Sequence, residues 1–171
     1  MSSLAIGAQP PLGFWDPLGL LKDADQARFD RLRYVETKHG RICMLAILGH
    51  LLNTYGFRLP GIVPFSENLP FKSVKAGLAA FDSLPLTYLV AVFFFIGLIE
   101  VGFATRQGEI EEAQLTASGW DEETINRKLA IELNNGRAAQ MGILALMVHE
   151  KLDNNPYIIN SLLGYPVAFN R

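Results

Sequence analysis

The most apolar stretch of the chain is LTYLVAVFFFIGLIEVGFAT, residues 86–105, which carries one charged residue in twenty. An α-helix rises about 1.5 Å per residue, so a run of this length covers the roughly 30 Å hydrocarbon core of a bilayer. Apolar residues on every face are typical of a membrane helix, because a core helix of a soluble protein usually keeps a polar stripe. The pattern therefore predicts a transmembrane helix over about 84–106.

Two further apolar runs are shorter and begin with polar residues. They are ICMLAILGHLL at 42–52 and AAQMGILALMVH at 138–149. Each crosses a bilayer only if the polar residues before it belong to the same helix, which predicts helices over about 29–53 and 122–150. Asp121 immediately precedes the last of these and is a favourable N-cap. The fold class predicted is an all-α membrane protein with three transmembrane helices.

The polar beginnings of the first and third helices share a motif. ETKHGR at 36–41 and ELNNGR at 132–137 agree at Glu, Gly and Arg with a constant offset of 96 positions. Agreement at one offset favours an internal duplication. Each motif also brings a glutamate and an arginine into a segment that has to reach the membrane. A single unpaired charge near the bilayer centre costs about 2.5–3.5 kcal/mol, so these charges need partners.

Those partners have to lie on different helices. Glutamate and arginine five positions apart point about 140° away from each other around one helix, which makes them a poor pair within it. If the first and third helices cross at the glycines of their motifs, Glu36 reaches Arg137 and Glu132 reaches Arg41. The sequence therefore predicts a pseudo-twofold crossing locked by reciprocal Glu–Arg ion pairs.

The polar residue three positions after each glutamate is a candidate ligand. His39 and Asn135 lie about 60° from the preceding glutamates and about 4.5 Å along the axis, so single ligand atoms point outward. A bare metal ion would need several such groups to converge. A magnesium already held in a macrocycle needs one axial ligand, and burial favours a net neutral one: His, Asn, Gln, or a Glu whose charge an Arg cancels.

These segments resemble a known family. ETKHGRICMLAILGH and ELNNGRAAQMGILALMVHE, with FFFIGLIEVGF between them and PPLGFWDPLGL in front, are similar to the three-helix light-harvesting chlorophyll-binding proteins of chloroplasts. Within that superfamily they resemble above all the fucoxanthin chlorophyll a/c proteins of diatoms and related algae. The resemblance covers residues 10 to about 150. It implies one antenna domain over 1–171, a multi-pass protein of the thylakoid membrane with no catalytic residues.

The resemblance also implies what the protein binds. The expected pigments are chlorophyll a, chlorophyll c, fucoxanthin, and diadinoxanthin or a related xanthophyll. The expected partners are thylakoid lipids, other antenna subunits and a photosystem core that receives the excitation energy. A photoprotective quencher would use the same scaffold.

Matched position by position, the resemblance implies a set of axial ligands to chlorophyll magnesium. These are Glu36, His39, Glu100, Glu132, Asn135 and His149, with Arg41 and Arg137 pairing the two crossing glutamates. Gln140 is a further ligand candidate, for a chlorophyll c. Glu100 has Phe103 three residues on, where an arginine would neutralise it, so Arg106 or water has to serve. Asp16, Pro17 and Leu18 fall in the segment 16–20 that cradles a carotenoid in relatives.

Two functions of other classes are weighed against this one. Glu-x-x-His is also the ligand motif of ferritin-like di-metal bundles, but that fold needs a second histidine, and Asn135 stands there. An ion or proton carrier using Glu100 is disfavoured because neutralised pairs make poor relays. The composition argues against nucleic acid, since 15 Lys and Arg face 17 Asp and Glu. Cys43 is the only cysteine, which excludes an intrachain disulfide.

The remaining predictions concern two histidines and the C-terminus. YIINSLLGY at 157–165 predicts a short amphipathic helix at the membrane interface. His50 is eleven positions after His39 and near its stripe. No family counterpart marks His50 as a ligand, so an interfacial or lumen-facing side chain is expected there.

Overall fold

The computed structural model of the chain describes residues 6–104 and 116–170. Regular structure in these residues is helical, without strands. The α-helices are α1 (Gln26–Thr54), α2 (Ala80–Ser83), α3 (Leu86–Ala104), α4 (Glu122–Asp153) and α5 (Ile158–Leu162). Short 3₁₀ turns at Phe71–Ser73 and Gly77–Ala79 lead into α2. Three long helices and a short C-terminal one occupy the segments that the apolar pattern indicates.

The ends of the long helices follow from capping side chains. α1 begins three residues earlier than predicted because Asp25 caps it, its Oδ1 accepting the Arg28 N–H at 2.8 Å. At the other end of α1, Arg58 donates to Asn53 Oδ1 at 2.7 Å and also to the Asn53 carbonyl. That carbonyl lies in the last turn of α1, where backbone oxygens have no hydrogen-bond partner within the helix. Asp121 caps α4 as predicted, accepting the Thr124 N–H at 3.4 Å.

α3 is the most apolar helix. Leu86–Phe103 has a mean hydropathy of 2.2 and none of this window is buried inside the protein. Among the described residues it is the one helix that is long and apolar enough to cross a membrane by length and composition. α1 and α4 are longer, but their polar first halves lower their average hydropathy. Residues 105 and 106, the predicted end of the middle helix, lie outside the described residues.

The contacts divide the chain into two compact units. The first contains the residues through Ile47 together with Trp120–Leu144. Its buried apolar side chains are Leu133 and Ala139, both on α4. The second unit contains the described residues from Leu48 to Gly119 and from Ala145 onward. Its core is the cluster of Ala76, Tyr157 and Phe169, with Leu51, Leu146 and Val167 packed against it. Both α1 and α4 contribute residues to each unit.

Candidate functional site

The centre of the first unit is a close approach of α1 and α4 at two glycines. A Cβ atom added to Gly40 would lie 2.8 Å from the Cα of Gly136, and one added to Gly136 would lie 3.0 Å from the Cα of Gly40. Both glycines are buried. A side chain at either position would separate the two backbones, so glycine is what permits the crossing.

Two ion pairs flank this crossing, and each joins α1 to α4. Arg137 Nε donates to Glu36 Oε1 at 2.7 Å, and Arg41 Nε donates to Glu132 Oε1 at 2.5 Å. These are the partners that the 140° separation within each motif predicts. All four side chains are partly exposed. Arg137 is 41% exposed and its partner Glu36 30%, whereas Arg41 is 57% exposed and its partner Glu132 27%. The glutamates are the better covered partners in both pairs.

The N-terminal arm adds contacts to the Glu36–Arg137 pair. Arg137 Nη1 donates to the Gly7 carbonyl at 2.9 Å, and Arg33 Nε lies 3.8 Å from Glu36 Oε2. A Cβ on Gly7 would lie 2.6 Å from the guanidinium of Arg33, so the arm lies directly against that side chain. The sequence gives no sign of the Gly7 contact, because Gly7 and Arg137 are 130 positions apart. The Arg33–Glu36 contact was also not predicted, although a spacing of three residues on one helix favours such a pair.

The predicted ligands beside the two glutamates project away from the crossing. His39 is exposed, and its Nδ1 lies 2.8 Å from the Val35 carbonyl one helical turn earlier. That hydrogen bond places the ring proton on Nδ1 and leaves Nε2 as an outward acceptor. Asn135 is exposed at the equivalent place on α4. Glu132 uses Oε1 for Arg41, and its Oε2 makes no hydrogen bond to the residues that the structure describes.

Gln140 lies inside the crossing. Its Nε2 donates to the Glu36 carbonyl at 3.3 Å and would lie 3.6 Å from a Cβ on Gly40. The amide therefore links α4 to the backbone of α1, and only its oxygen remains for a further ligand.

Two predicted ligands belong to the second unit. Glu100 is half-buried on α3, and Arg106, the partner suggested for it, lies outside the described residues. His149 is half-buried near the end of α4. Its Nδ1 is buried and has no hydrogen-bond partner within the described part of the chain. A buried ring nitrogen without a partner costs free energy, so a ligand or donor at His149 would stabilise this arrangement.

The predicted carotenoid segment forms a compact turn. Asp16 Oδ1 accepts the Leu20 N–H at 3.0 Å, and Asp16 Oδ2 accepts the Leu21 N–H at 2.9 Å. The carboxylate is thus used by the backbone and shapes the loop. Pro17 and Leu18 lie at the outside of this turn, and the Leu18 side chain is 81% exposed. The turn that Asp16 stabilises therefore exposes apolar side chains on its outer side.

His50 differs from its sequence prediction. Instead of facing an interface or the lumen, it is 7% exposed. Its Nδ1 lies 2.9 Å from the hydroxyl of Tyr157, and its ring stacks on Phe169 at 5.5 Å between centroids. Both aromatic partners lie more than 100 residues later in the chain, so no local pattern indicates that His50 is buried.

The His, Cys, Asp and Glu side chains in the described part of the chain are not clustered. Within residues 6–104 and 116–170, no group of three or more His, Cys, Asp or Glu could hold a metal ion. At the crossing Glu132 is paired with Arg41, Glu36 is paired with Arg137 and more loosely with Arg33, and the histidine and asparagine beside them face outward. That arrangement fits separate single-ligand sites better than a ferritin-like cluster.

The family model described as "Chlorophyll A-B binding protein" matches residues 2–151. A fucoxanthin-chlorophyll a-c binding protein D of Macrocystis pyrifera is 56% identical, over 98% of this chain and 96% of that protein. The B protein of the same organism is 55% identical over 96% of this chain and 80% of its own length. Protein D of Phaeodactylum tricornutum is 54% identical over 86% of this chain and 78% of its own length.

Proposed function

This chain belongs to the chlorophyll A-B binding protein family, and on that premise we propose that it is a light-harvesting antenna that binds chlorophyll a, chlorophyll c and fucoxanthin. The family consists of pigment-binding light-harvesting proteins and not of enzymes. The pigments supply light absorption and excitation transfer, and the protein's contribution is to hold them at fixed separation and orientation. The excitation passes to other antenna subunits and to a photosystem core.

The observation that carries the proposal is the pair of exchanged Glu–Arg contacts. In each pair the arginine takes Oε1 of a glutamate on the other helix. Each Glu–Arg pair is then net neutral, which is the form in which a carboxylate can be buried beside a neutral magnesium pigment. At Glu36 a second, partly exposed cation, Arg33, lies 3.8 Å from Oε2, beyond hydrogen-bond distance, so that oxygen keeps a lone pair for a ligand. The second oxygen of the glutamate is the axial ligand. One carboxylate thus fixes the crossing of α1 and α4 and also holds a ring.

Five further side chains complete the proposed ligand set. His39 ligates through Nε2, since its Nδ1 is engaged by the Val35 carbonyl. The oxygens of Asn135 and Gln140 serve in the same way, and Gln140 is assigned to a chlorophyll c. Glu100 and His149 hold the pigments of the second unit. Because Nδ1 of His149 is enclosed by the protein, the ligand atom is Nε2.

The turn at Asp16, Pro17 and Leu18 is proposed to seat a carotenoid. A carotenoid chain needs an extended apolar contact, and this arm exposes large apolar side chains one after another. They are Leu12, Phe14, Trp15, Leu18 and Leu20. A xanthophyll such as diadinoxanthin is a further candidate for the same kind of surface.

The exposed apolar surface supports a location in the thylakoid membrane, with α1, α3 and α4 as the three spans of one antenna domain. On α3 the phenylalanines Phe93, Phe94 and Phe95 are 81%, 68% and 62% exposed. Exposed apolar area of this extent is unfavourable in water and is satisfied by lipid tails and pigments.

The first test is the visible spectrum of the purified protein. Chlorophyll bands with a broad carotenoid absorption extending into the green support the antenna, and extracted pigments identify chlorophyll c and fucoxanthin. A preparation that binds no chlorophyll after refolding with pigments would overturn the proposal.

The second test separates the two roles of Glu36. Glu36→Leu removes a ligand and leaves the Arg137 charge without a carboxylate partner, which costs about 2.5–3.5 kcal/mol near the bilayer centre. It also removes the weaker 3.8 Å contact of Arg33, in the single and the double variant alike. The double variant Glu36→Leu with Arg137→Leu removes that unpaired charge. We expect the single variant to lose one chlorophyll and to assemble poorly, and the double variant to assemble better without regaining the chlorophyll. A full chlorophyll count in the double variant contradicts the ligand role.

A further inference from the structure

The end of α4 in the second unit is held by a carboxylate that no ligand assignment uses. Glu150 is 7% exposed. Its Oε2 accepts the Leu78 N–H at 2.9 Å, and its Oε1 accepts the Ala79 N–H at 3.1 Å. Each oxygen therefore has one backbone donor, so the carboxylate cannot rotate without losing a hydrogen bond. Charge-assisted hydrogen bonds of this kind are about twice as strong as neutral ones.

Gly77 makes this contact geometrically accessible. Its φ is +67°, a conformation that side chains disfavour, and it turns the next two N–H groups toward the carboxylate. A Cβ on Gly77 would overlap the carboxyl group of Glu150. The glycine is thus required both for the backbone angle and for the space that Glu150 fills.

The C-terminal tail secures the segment that Glu150 binds. Asn170 brackets Ala76 with two hydrogen bonds, its Oδ1 accepting the Ala76 N–H at 2.8 Å and its Nδ2 donating to the Ala76 carbonyl at 2.9 Å. Phe169, 3% exposed, packs beside this contact against His50. The backbone of Ala76 to Ala79 is therefore hydrogen-bonded both by Asn170 of the C-terminal tail and by Glu150 of α4.

The end of α1 meets the same carboxylate. His50 Nε2 lies 3.7 Å from Glu150 Oε2, and both side chains are 5% exposed. The other ring nitrogen of His50 is paired with the Tyr157 hydroxyl, which in turn donates to Thr54 Oγ1 at 3.0 Å. Glu150 is accordingly enclosed by α1, by the segment before α2 and by the aromatic residues of the tail.

A carboxylate held in this way fixes the rotation of its helix. Successive residues on an α-helix are about 100° apart, so fixing Glu150 also fixes the direction of His149, its neighbour. We propose that Glu150 is a positioning residue: its hydrogen bonds with the Leu78 and Ala79 amides set the direction in which His149 presents its ring to chlorophyll. This inference rests on the proposed function, in which His149 is an axial ligand.

The test uses full-length protein refolded with chlorophylls and carotenoids. His149→Leu defines the absorption band and the chlorophyll that depend on that ligand. Glu150→Gln keeps the shape of the side chain but places an NH₂ group against a backbone N–H. Gly77→Ala disturbs the same contact from the other side. Gly164→Ala is the matched control, because Gly164 has φ +84° and no atom within 4 Å of an added Cβ.

We expect Glu150→Gln and Gly77→Ala each to shift or lose the band that His149→Leu removes, while the other chlorophylls remain. Adding Glu150→Gln to His149→Leu should remove no further chlorophyll. Amide hydrogen exchange at Leu78 and Ala79 should become at least about tenfold faster in both variants, as expected for the loss of about 1.4 kcal/mol of protection. Gly164→Ala should leave the band and the exchange unchanged.

Three outcomes would overturn the inference. If Glu150→Gln and Gly77→Ala keep the His149 band unaltered, the positioning role is wrong while the antenna function stands. If both variants lose all pigments together, Glu150 serves the stability of the whole fold. If His149→Leu itself loses no chlorophyll, the ligand assignment fails and the inference fails with it. Absence of chlorophyll from the unmodified protein would instead reject the proposed function.

Discussion

Replacing Gly136 with alanine places one methyl group in the tightest contact of the helix crossing. The added Cβ would lie 3.0 Å from the Cα of Gly40, where ordinary contacts are 3.4–4 Å. The Cβ position is fixed by the backbone of α4 and the Gly40 Cα belongs to the backbone of α1, so no side-chain rotation can relieve the overlap. α1 and α4 have to move apart by several tenths of an ångström, which also lengthens the Glu–Arg contacts of 2.7 and 2.5 Å beside the crossing.

Gly142 supplies a matched control on the same helix. A Cβ there would also lie at 3.0 Å from its nearest atom, but that atom is Cδ1 of Ile47, the end of a flexible side chain. Both substitutions gain the same helix propensity, about 1 kcal/mol, so this term cancels in the comparison. The remaining difference is the cost of overpacking against backbone, about 1–3 kcal/mol.

The assay is thermal melting of the pigment-loaded protein, followed by visible circular dichroism and by excitation transfer between pigments. A loss of 1 kcal/mol lowers the melting temperature by about 2–4 °C in a chain of this length, so Gly136→Ala should melt on the order of 2–12 °C below Gly142→Ala. Equal melting temperatures for the two variants would refute the close crossing.

Three further predictions concern single side chains. Arg137→Gln should lower the melting temperature, because Arg137 pairs with Glu36 and also donates to the carbonyl of Gly7 in the N-terminal arm; an unchanged melting temperature would contradict this role. The pKa of Asp121 lies below its ordinary 3.8, chiefly because of its hydrogen bond with Thr124. A lowered pKa means that the cap contributes fully above pH 3.8 and is lost as the pH falls below it. The protection of amides in the first turn of α4, measured relative to their intrinsic exchange rate at each pH, should therefore fall in acid, and it should stay low at every pH in Asp121→Ala. Burial raises the pKa of Tyr157 above 10.0. The neutral phenol therefore stabilises the folded state fully below pH 10, and this stabilisation is lost as the pH rises through the raised pKa. Ultraviolet titration against Tyr157→Phe should show one tyrosine ionising late, and its absence would contradict the burial.

Local chemistry was sufficient for the helices and for the pairing at their crossing. The twenty-residue apolar run predicts α3, and Asp121 predicts the first residue of α4. The exchange of partners between the two Glu–Arg motifs follows from helical angles, because a residue five positions away on the same helix faces elsewhere. Helix geometry and capping act over a few residues, so they are visible in the order of the amino acids.

Long-range contacts were not predictable in this way. His50 is polar and lies near the end of an apolar run, which suggests an interface, yet Tyr157 and Phe169 enclose it. Glu150 and Asn170 look like ordinary surface residues in the sequence, but they bind the backbone amides of Leu78, Ala79 and Ala76.

Gly7 and Gln140 gave no indication of their contacts either, at 130 and 104 positions' separation. These interactions arise only when distant segments pack together, because whether a polar group is buried and satisfied depends on which segment reaches it. Periodicity places a residue on a face of a helix. The packed chain decides what covers that face.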